Sequence, residues 1–249
     1  MIFSPLEQFK IINIIPFYIG SSSLDFSFTN SSFISLTITW LIFQTTFTLT
    51  NSKSLINNNF IWFMIKVDQF ITQIINEQIG KVGLKYKPLL ITIAIIILLA
   101  NMIGMIPYSF TITSHPIITM GLSFTLWLGI TFTIILKQKL HFIYLFIPSG
   151  VPAPLIPIIF PIEVISYLTR PISLGIRLAA NMFAGHTLLN IFSFFIWQMY
   201  HSVSLFAVAI IATLILLFLI VLEILIAFLQ TYVFTVLVSS YINDIYSHH

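Results

Sequence analysis

Five apolar blocks occupy most of this chain and leave little surface fit for water. They cover residues 33–50, 89–108, 117–136, 155–200 and 203–245. A helix needs about 20 mainly apolar residues to cross a bilayer, and every block reaches or approaches that length. Only 7% of the 249 residues are charged, whereas soluble proteins carry about 25%. A chain this poor in charge cannot clothe a soluble globule. An ordinary cytosolic enzyme, a disordered chain and a nucleic-acid binder are excluded. The expected class is an all-α polytopic membrane protein forming a single membrane domain over residues 1–249. There is no Cys, so disulfides, thiolate chemistry and Cys metal sites are excluded as well.

The first block, 33–50, is Thr-rich and the shortest of the five. Residues 57–87 follow it, with Lys66, Asp68, Glu77, Lys81, Lys85 and Lys87 set among Phe60, Trp62, Phe63, Val67, Phe70, Ile71, Ile74 and Ile75. The apolar positions recur at helical spacing. That pattern predicts an amphipathic helix on the membrane surface. The blocks 89–108 and 117–136 then form a helical hairpin. Near the N-terminus, Lys10 with the apolar run 11–20 loosely mimics a short signal peptide, but Glu7 and Pro16 count against that reading.

Lysine placement sets the orientation. Seven of the eight lysines fall between the first and second spans or just after the third, at 53, 66, 81, 85, 87, 137 and 139. The loop 111–116 has no Lys or Arg. By the positive-inside rule the lysine-rich side is cytoplasm or matrix, and the N-terminus lies outside.

The last two blocks are too long for a simple crossing. A 46-residue helix is about 69 Å long, at about 1.5 Å per residue. The hydrocarbon core is about 30 Å thick. The fifth block holds no Pro or Gly, and the fourth has no cluster of turn-forming residues. Two long helices, strongly inclined against a large partner, are therefore expected over 155–245.

Those two helices carry charges where charge is costly. Glu163, Arg170, Arg177, His186 and Glu223 all lie inside apolar blocks. A charge at mid-membrane costs roughly 2.5–3.5 kcal/mol on insertion scales, and such residues commonly mark ion pathways. A structural ion pair is the alternative, and for Glu163 and Arg170 so is snorkelling near a helix end. The seven-residue spacing places Glu163, Arg170 and Arg177 on one helix face, with Asn181 one turn beyond Arg177. His186 lies nine positions from Arg177, half a turn out of phase at about 100° per residue. Glu223 and Gln230 share a face of the last helix, and Asp244 lies near that face about 31 Å along it. His titrates near neutral pH and carboxylates exchange protons with their neighbours. Arg does not release its proton in a protein. The pattern reads as a proton path with a fixed cation in its middle.

The stretch 172–186, Ile-Ser-Leu-Gly-Ile-Arg-Leu-Ala-Ala-Asn-Met-Phe-Ala-Gly-His, resembles the signature of subunit a of F-type ATP synthases. The stretch 223–234, Glu-Ile-Leu-Ile-Ala-Phe-Leu-Gln-Thr-Tyr-Val-Phe, resembles that family's last helix, and 101–108, Asn-Met-Ile-Gly-Met-Ile-Pro-Tyr, resembles an earlier segment. The resemblance implies a proton-translocating stator subunit that binds no nucleotide and needs no cofactor or metal. Its implied partners are the c-ring, a peripheral-stalk subunit b, small membrane subunits, the lipid bilayer and protons as transported ion. Arg177 then matches the arginine that faces the ring and separates two half-channels. His186, Glu223, Asn181 and Gln230 match the outer side of the path. Glu163 and Asp244 match its matrix side. In bacterial relatives the acid and histidine stand in exchanged order, so the arrangement looks mitochondrial, which implies a multi-pass protein of the mitochondrial inner membrane. No catalytic role follows for Arg170.

Other readings fit less well. A solitary transporter usually shows internal repeats and helices broken at mid-membrane, and neither is visible. An assembly subunit would not need Arg177, His186 and Glu223 inside apolar helices. No G-x-x-x-x-G-K-[ST] loop or H-E-x-x-H motif is present, so neither nucleotide chemistry nor a zincin site is indicated. His115, His141 and His201 are not at ligand spacing, and His248 with His249 reads as a solvated tail. Asn30-Ser31-Ser32 matches a glycosylation sequon by chance.

Overall fold

The structure is a computed structural model describing residues 7–19, 24, 25, 27–51, 59–106, 109–139, 153–202, 206–244 and 246. Lys53, Pro107, Tyr108, His141, Ile245, His248, His249 and the start of the last apolar block lie outside the described residues. Among the described residues, six α-helices follow a short N-terminal stretch: α1 (Asn30–Asn51), α2 (Asn59–Gln78), α3 (Lys87–Gly104), α4 (Pro116–Gln138), α5 (Ile156–His201) and α6 (Phe206–Asn243). The chain is an all-α polytopic membrane protein. Among the described residues, four helical stretches are long and apolar enough to cross a membrane: Val82–Gly104, Pro116–Lys137, Ile156–His201 and Phe206–Asn243.

Polarity is inverted relative to a soluble protein. In α6, whose mean hydropathy reaches 3.1, only 11% of the apolar window is buried within the chain. Leu214, Leu217, Phe218, Val221 and Leu225 on α6 are exposed, while Glu223, Gln230 and Ser239 on the same helix are buried. A helix with apolar residues outward and polar residues inward is matched to a lipid solvent.

Two details depart from the sequence pattern. The amphipathic stretch is not one helix over 57–87. It stops at Gln78, turns at Gly80 with φ 79°, and passes through a 3-10 turn (Lys81–Tyr86) into α3. A positive φ is free of steric cost only for Gly, so Gly80 sets the break. Within α2 the stripe Met64, Ile71, Ile74 and Ile75 is buried, and Trp62 and Phe70 are exposed. The second departure concerns the run 11–20, which contains no helix among the described residues. The strand β1 (Asn13–Ile15) pairs antiparallel with β4 (Phe28–Thr29), and β2 (Tyr18–Ile19) pairs with β3 (Leu24–Asp25). Ile-rich, β-branched sequence around Pro16 favours extended backbone.

The helix α5 runs unbroken through Pro161 and Pro171. Its 46 residues make it about 69 Å long, and the 38 of α6 about 57 Å, at about 1.5 Å per residue. Both exceed the thickness of a hydrocarbon core, about 30 Å, well beyond what ordinary tilt absorbs.

The chain divides into two compact units. One contains Met1–Ser52, Ile95–His115 and Leu178–Thr231. Its apolar core joins Ile38 of α1 to Ala100 of α3 and to Phe110 and Ile112 of the following connection. The other contains Lys53–Ala94, Pro116–Arg177 and Tyr232–His249. Within it the Tyr167 hydroxyl of α5 and the Thr131 hydroxyl of α4 share a hydrogen bond of 2.8 Å. Lys137 donates to the Tyr246 hydroxyl at 2.7 Å and lies 4.2 Å from the centre of that ring, which fastens the C-terminal turn to the end of α4.

Candidate proton path

In the first unit, α5 and α6 bring His186 and Glu223 together. Both are 5% exposed. His186 Nδ1 stands 3.5 Å from Glu223 Oε1. Among the described residues, neither carboxylate oxygen of Glu223 has a hydrogen-bond partner, and neither has His186 Nε2. A buried polar group without a partner costs about 1–3 kcal/mol. Burying this pair in an apolar environment without completing its bonds is a cost that stability alone does not explain.

The close approach depends on Gly185. A Cβ added there would lie 2.6 Å from Glu223 Oε1, so any side chain would push the carboxylate away from the imidazole. The variant Gly185→Ala should leave α5 intact, since Ala is the better helix former. It should nonetheless slow any proton transfer through His186 and Glu223. Proton flux in membranes with normal subunit content checks this, and an unchanged flux would contradict it.

Five residues before His186 on α5, Asn181 Nδ2 donates to Gln230 Oε1 of α6 at 3.0 Å. Gln230 is 5% exposed and Asn181 is exposed. On α3, Asn101 is wholly buried and neither atom of its amide is hydrogen-bonded. The sequence marks this Asn only as part of a motif. The signal in the sequence was an amide inside an otherwise uncharged apolar helix.

In the second unit, Arg170 gathers the acids. Its Nη1 donates to Asp244 Oδ2 at 2.9 Å, and its Nη2 is 4.0 Å from Glu163 Oε1. The guanidinium also lies over the rings of Tyr167 and Tyr241, at 5.5 and 5.6 Å. Sequence spacing placed Glu163 and Asp244 on separate helices and left Arg170 without a role. The structure makes Arg170 the group between them.

Arg177, also in this unit, differs from Arg170. It is exposed, and no carboxylate, carbonyl or hydroxyl among the described residues hydrogen-bonds or ion-pairs with it. The Tyr241 phenol lies within electrostatic reach of it. A guanidinium that points out of an apolar helix without an acceptor is costly in hydrocarbon.

The sequence-derived residues thus fall into three groups: His186 with Glu223, Asn181 with Gln230, and Glu163 with Asp244 through Arg170. Arg177 stands apart, facing outward. Residues 31–243 match the sequence model of the family described as "ATP synthase A chain". The chain is 44% identical over 251 residues to a protein of Marchantia polymorpha named ATP synthase subunit a, covering 99% of each. It is 43% identical over 249 residues to the protein of that name in Acanthamoeba castellanii, again over 99% of each. A bacterial relative of the same name, from Mesorhizobium japonicum, is 38% identical over 244 residues, 96% of this chain and 95% of its own.

Proposed function

Because the chain belongs to the ATP synthase A chain family, we propose that it is the proton-translocating stator subunit of the rotary enzyme's membrane sector. In this reading it binds no nucleotide itself. It conducts protons to and from acidic groups on a ring of c subunits and so couples proton flow to rotation.

The observation that carries this reading is the contrast on α5. His186 is buried against Glu223, and Arg177 is exposed with no ion-pair or hydrogen-bond partner among the described residues. Buried, unsatisfied acid and imidazole suit a relay, since each binds and releases a proton. A cation that cannot release its proton suits a barrier. Two half-channels follow. The outer one contains His186 and Glu223, with Asn181 and Gln230 bracing α5 against α6. The inner one contains Glu163 and Asp244, with Arg170 holding the two acids near each other.

Arg177 faces the ring. A ring carboxylate that arrives protonated loses its proton beside the guanidinium, because an opposite charge within about 4–6 Å favours the ionised acid. The same positive charge repels a proton crossing directly between the half-channels. These forces act where water is scarce, so they exceed their values in bulk solvent. The length of α5 and α6 fits two inclined helices lying along a curved partner.

The setting is the mitochondrial inner membrane, with the lysine-rich connections and ends of the helices in the matrix and the N-terminus in the intermembrane space. The eukaryotic relatives support that setting. Peripheral-stalk and small membrane subunits complete the stator. The test is affinity purification of this chain in mild detergent. An oligomeric ring of small apolar subunits should co-purify with it, and recovery of the chain in intact form without such a ring would contradict the proposal.

A further inference from the structure

Basic and aromatic side chains meet in the second unit where α4 ends. Lys137, in the last turn of α4, donates to the Tyr246 hydroxyl at 2.7 Å and to the Tyr86 hydroxyl at 3.4 Å. The Tyr246 hydroxyl donates in turn to the Tyr86 hydroxyl at 3.4 Å. The two rings stand edge to face, with centres 6.4 Å apart. Lys85 lies within electrostatic reach of the Tyr246 phenol, and Lys139 follows two residues after Lys137. Lys85, Lys137 and Lys139 are all exposed.

The hydrogen bonds of this cluster do not close on themselves. An ammonium has three protons to donate and a phenol has one. Tyr86 accepts from both Lys137 and Tyr246, and its own proton has no acceptor among the described residues. No carboxylate among the described residues ion-pairs with Lys85, Lys137 or Lys139. Lys87 is different, because Asp68 neutralises it at 2.9 Å. The cluster therefore offers positive charge and donors with nothing anionic to receive them. The ligand that completes it is an anion with several acceptor oxygens.

The setting decides which anion. Phe132 and Leu136 of α4 are exposed, as are Val82 and Leu84 beside Lys85. The helix α4 is long and apolar enough to cross a membrane. A crossing puts Phe132 and Leu136 at the depth of acyl chains and Lys137 at the depth of headgroups. Lysine stems lie along apolar surface with the ammonium in the polar region, and tyrosines are enriched at that level. A basic pocket at helix ends on the lysine-rich side suits anionic headgroups.

We propose that Lys85, Lys137 and Lys139, with the Tyr86 hydroxyl, bind the phosphodiester of an anionic phospholipid in the leaflet on the lysine-rich side. Its oxygens accept from the Lys137 ammonium and the Tyr86 hydroxyl, and its acyl chains lie along Leu84, Phe132 and Leu136. The 3-10 turn, the end of α4 and the C-terminal turn each contribute a member of the cluster, so the bound lipid braces all three. The inference rests on the membrane fold and not on the assignment of the proton path.

The test uses photoreactive lipids on the assembled complex. The purified complex is placed in phosphatidylcholine bilayers with a small fraction of phosphatidylglycerol or of phosphatidylcholine that carries a diazirine in its acyl chain. After illumination, adducts on this chain are mapped by mass spectrometry. The anionic probe should label residues 82–86 and 132–139 about tenfold more than the neutral one, the weight of two or three lysines near a headgroup. Lys137→Gln should bring the ratio close to one. Lys85→Gln combined with Lys139→Gln should lower it several-fold without loosening the C-terminal turn, since neither lysine hydrogen-bonds that turn. This double variant decides the question where Lys137→Gln fails to assemble. Labelling by the neutral probe should stay constant throughout, which shows that the segments still meet lipid.

Equal labelling by the two probes in the native chain would overturn the proposal. So would a preference that survives both the Lys137 substitution and the double substitution. Loss of the preference on adding inorganic phosphate, but not chloride at the same ionic strength, would make the occupant a free phosphate and overturn the lipid assignment.

Discussion

Replacing Arg177 with Ala should abolish coupled ATP synthesis while opening a passive proton leak through the assembled complex. The two effects have one cause. The guanidinium is exposed on α5, and no carboxylate among the described residues pairs with it. Without it a ring carboxylate has no reason to ionise at the crossing point, and a proton meets no repulsion there. Arg177→Lys should fail to restore full coupling. An ammonium is more strongly hydrated, can lose its proton when desolvated, and lacks the planar fork that matches a carboxylate. Proton flux and ATP synthesis are measured on the same membranes, with ring content checked by immunoblot. Normal coupled synthesis by the Ala variant would contradict the assignment.

Glu223→Gln is expected to act in the opposite sense on leak. The amide keeps nearly the same shape and fills the space beside Gly185, so assembly should persist. It cannot accept and release a proton, so uptake from the outer side should slow by about 10²-fold or more, the usual weight of a lost acid–base step. No leak should appear, because Arg177 remains in place. His186→Ala should slow the same step, and the double variant should be no worse than the slower single one, since both residues serve one transfer. Effects that multiplied independently would place the two residues on different routes.

Much of this was legible before any coordinates. The long helices followed from apolar length and from the lack of Pro or Gly in the last block. The 3.6-residue period correctly separated Arg177 from His186, one exposed and the other buried. Proximity across helices was harder to read. That Glu223 approaches His186 depends on Gly185, and a single glycine in an apolar run carries no signal of what packs on it. Arg170 looked dispensable because its two acids are 7 and 74 residues away, and only the second separation needs tertiary structure. The N-terminal strands were missed because a ten-residue apolar run has no period that distinguishes extended backbone from helix.

The central claim is that one continuous route is interrupted only by the charge on Arg177. The measurement that tests it most directly is passive proton flux in membranes carrying Arg177→Ala alone and Arg177→Ala with Glu223→Gln, at equal ring content. If the leak released by losing the cation runs through the outer half-channel, the second substitution must close it, and flux should return close to that of the native complex. An equal leak in the two variants would show that protons cross without Glu223, and the account of the path would be wrong.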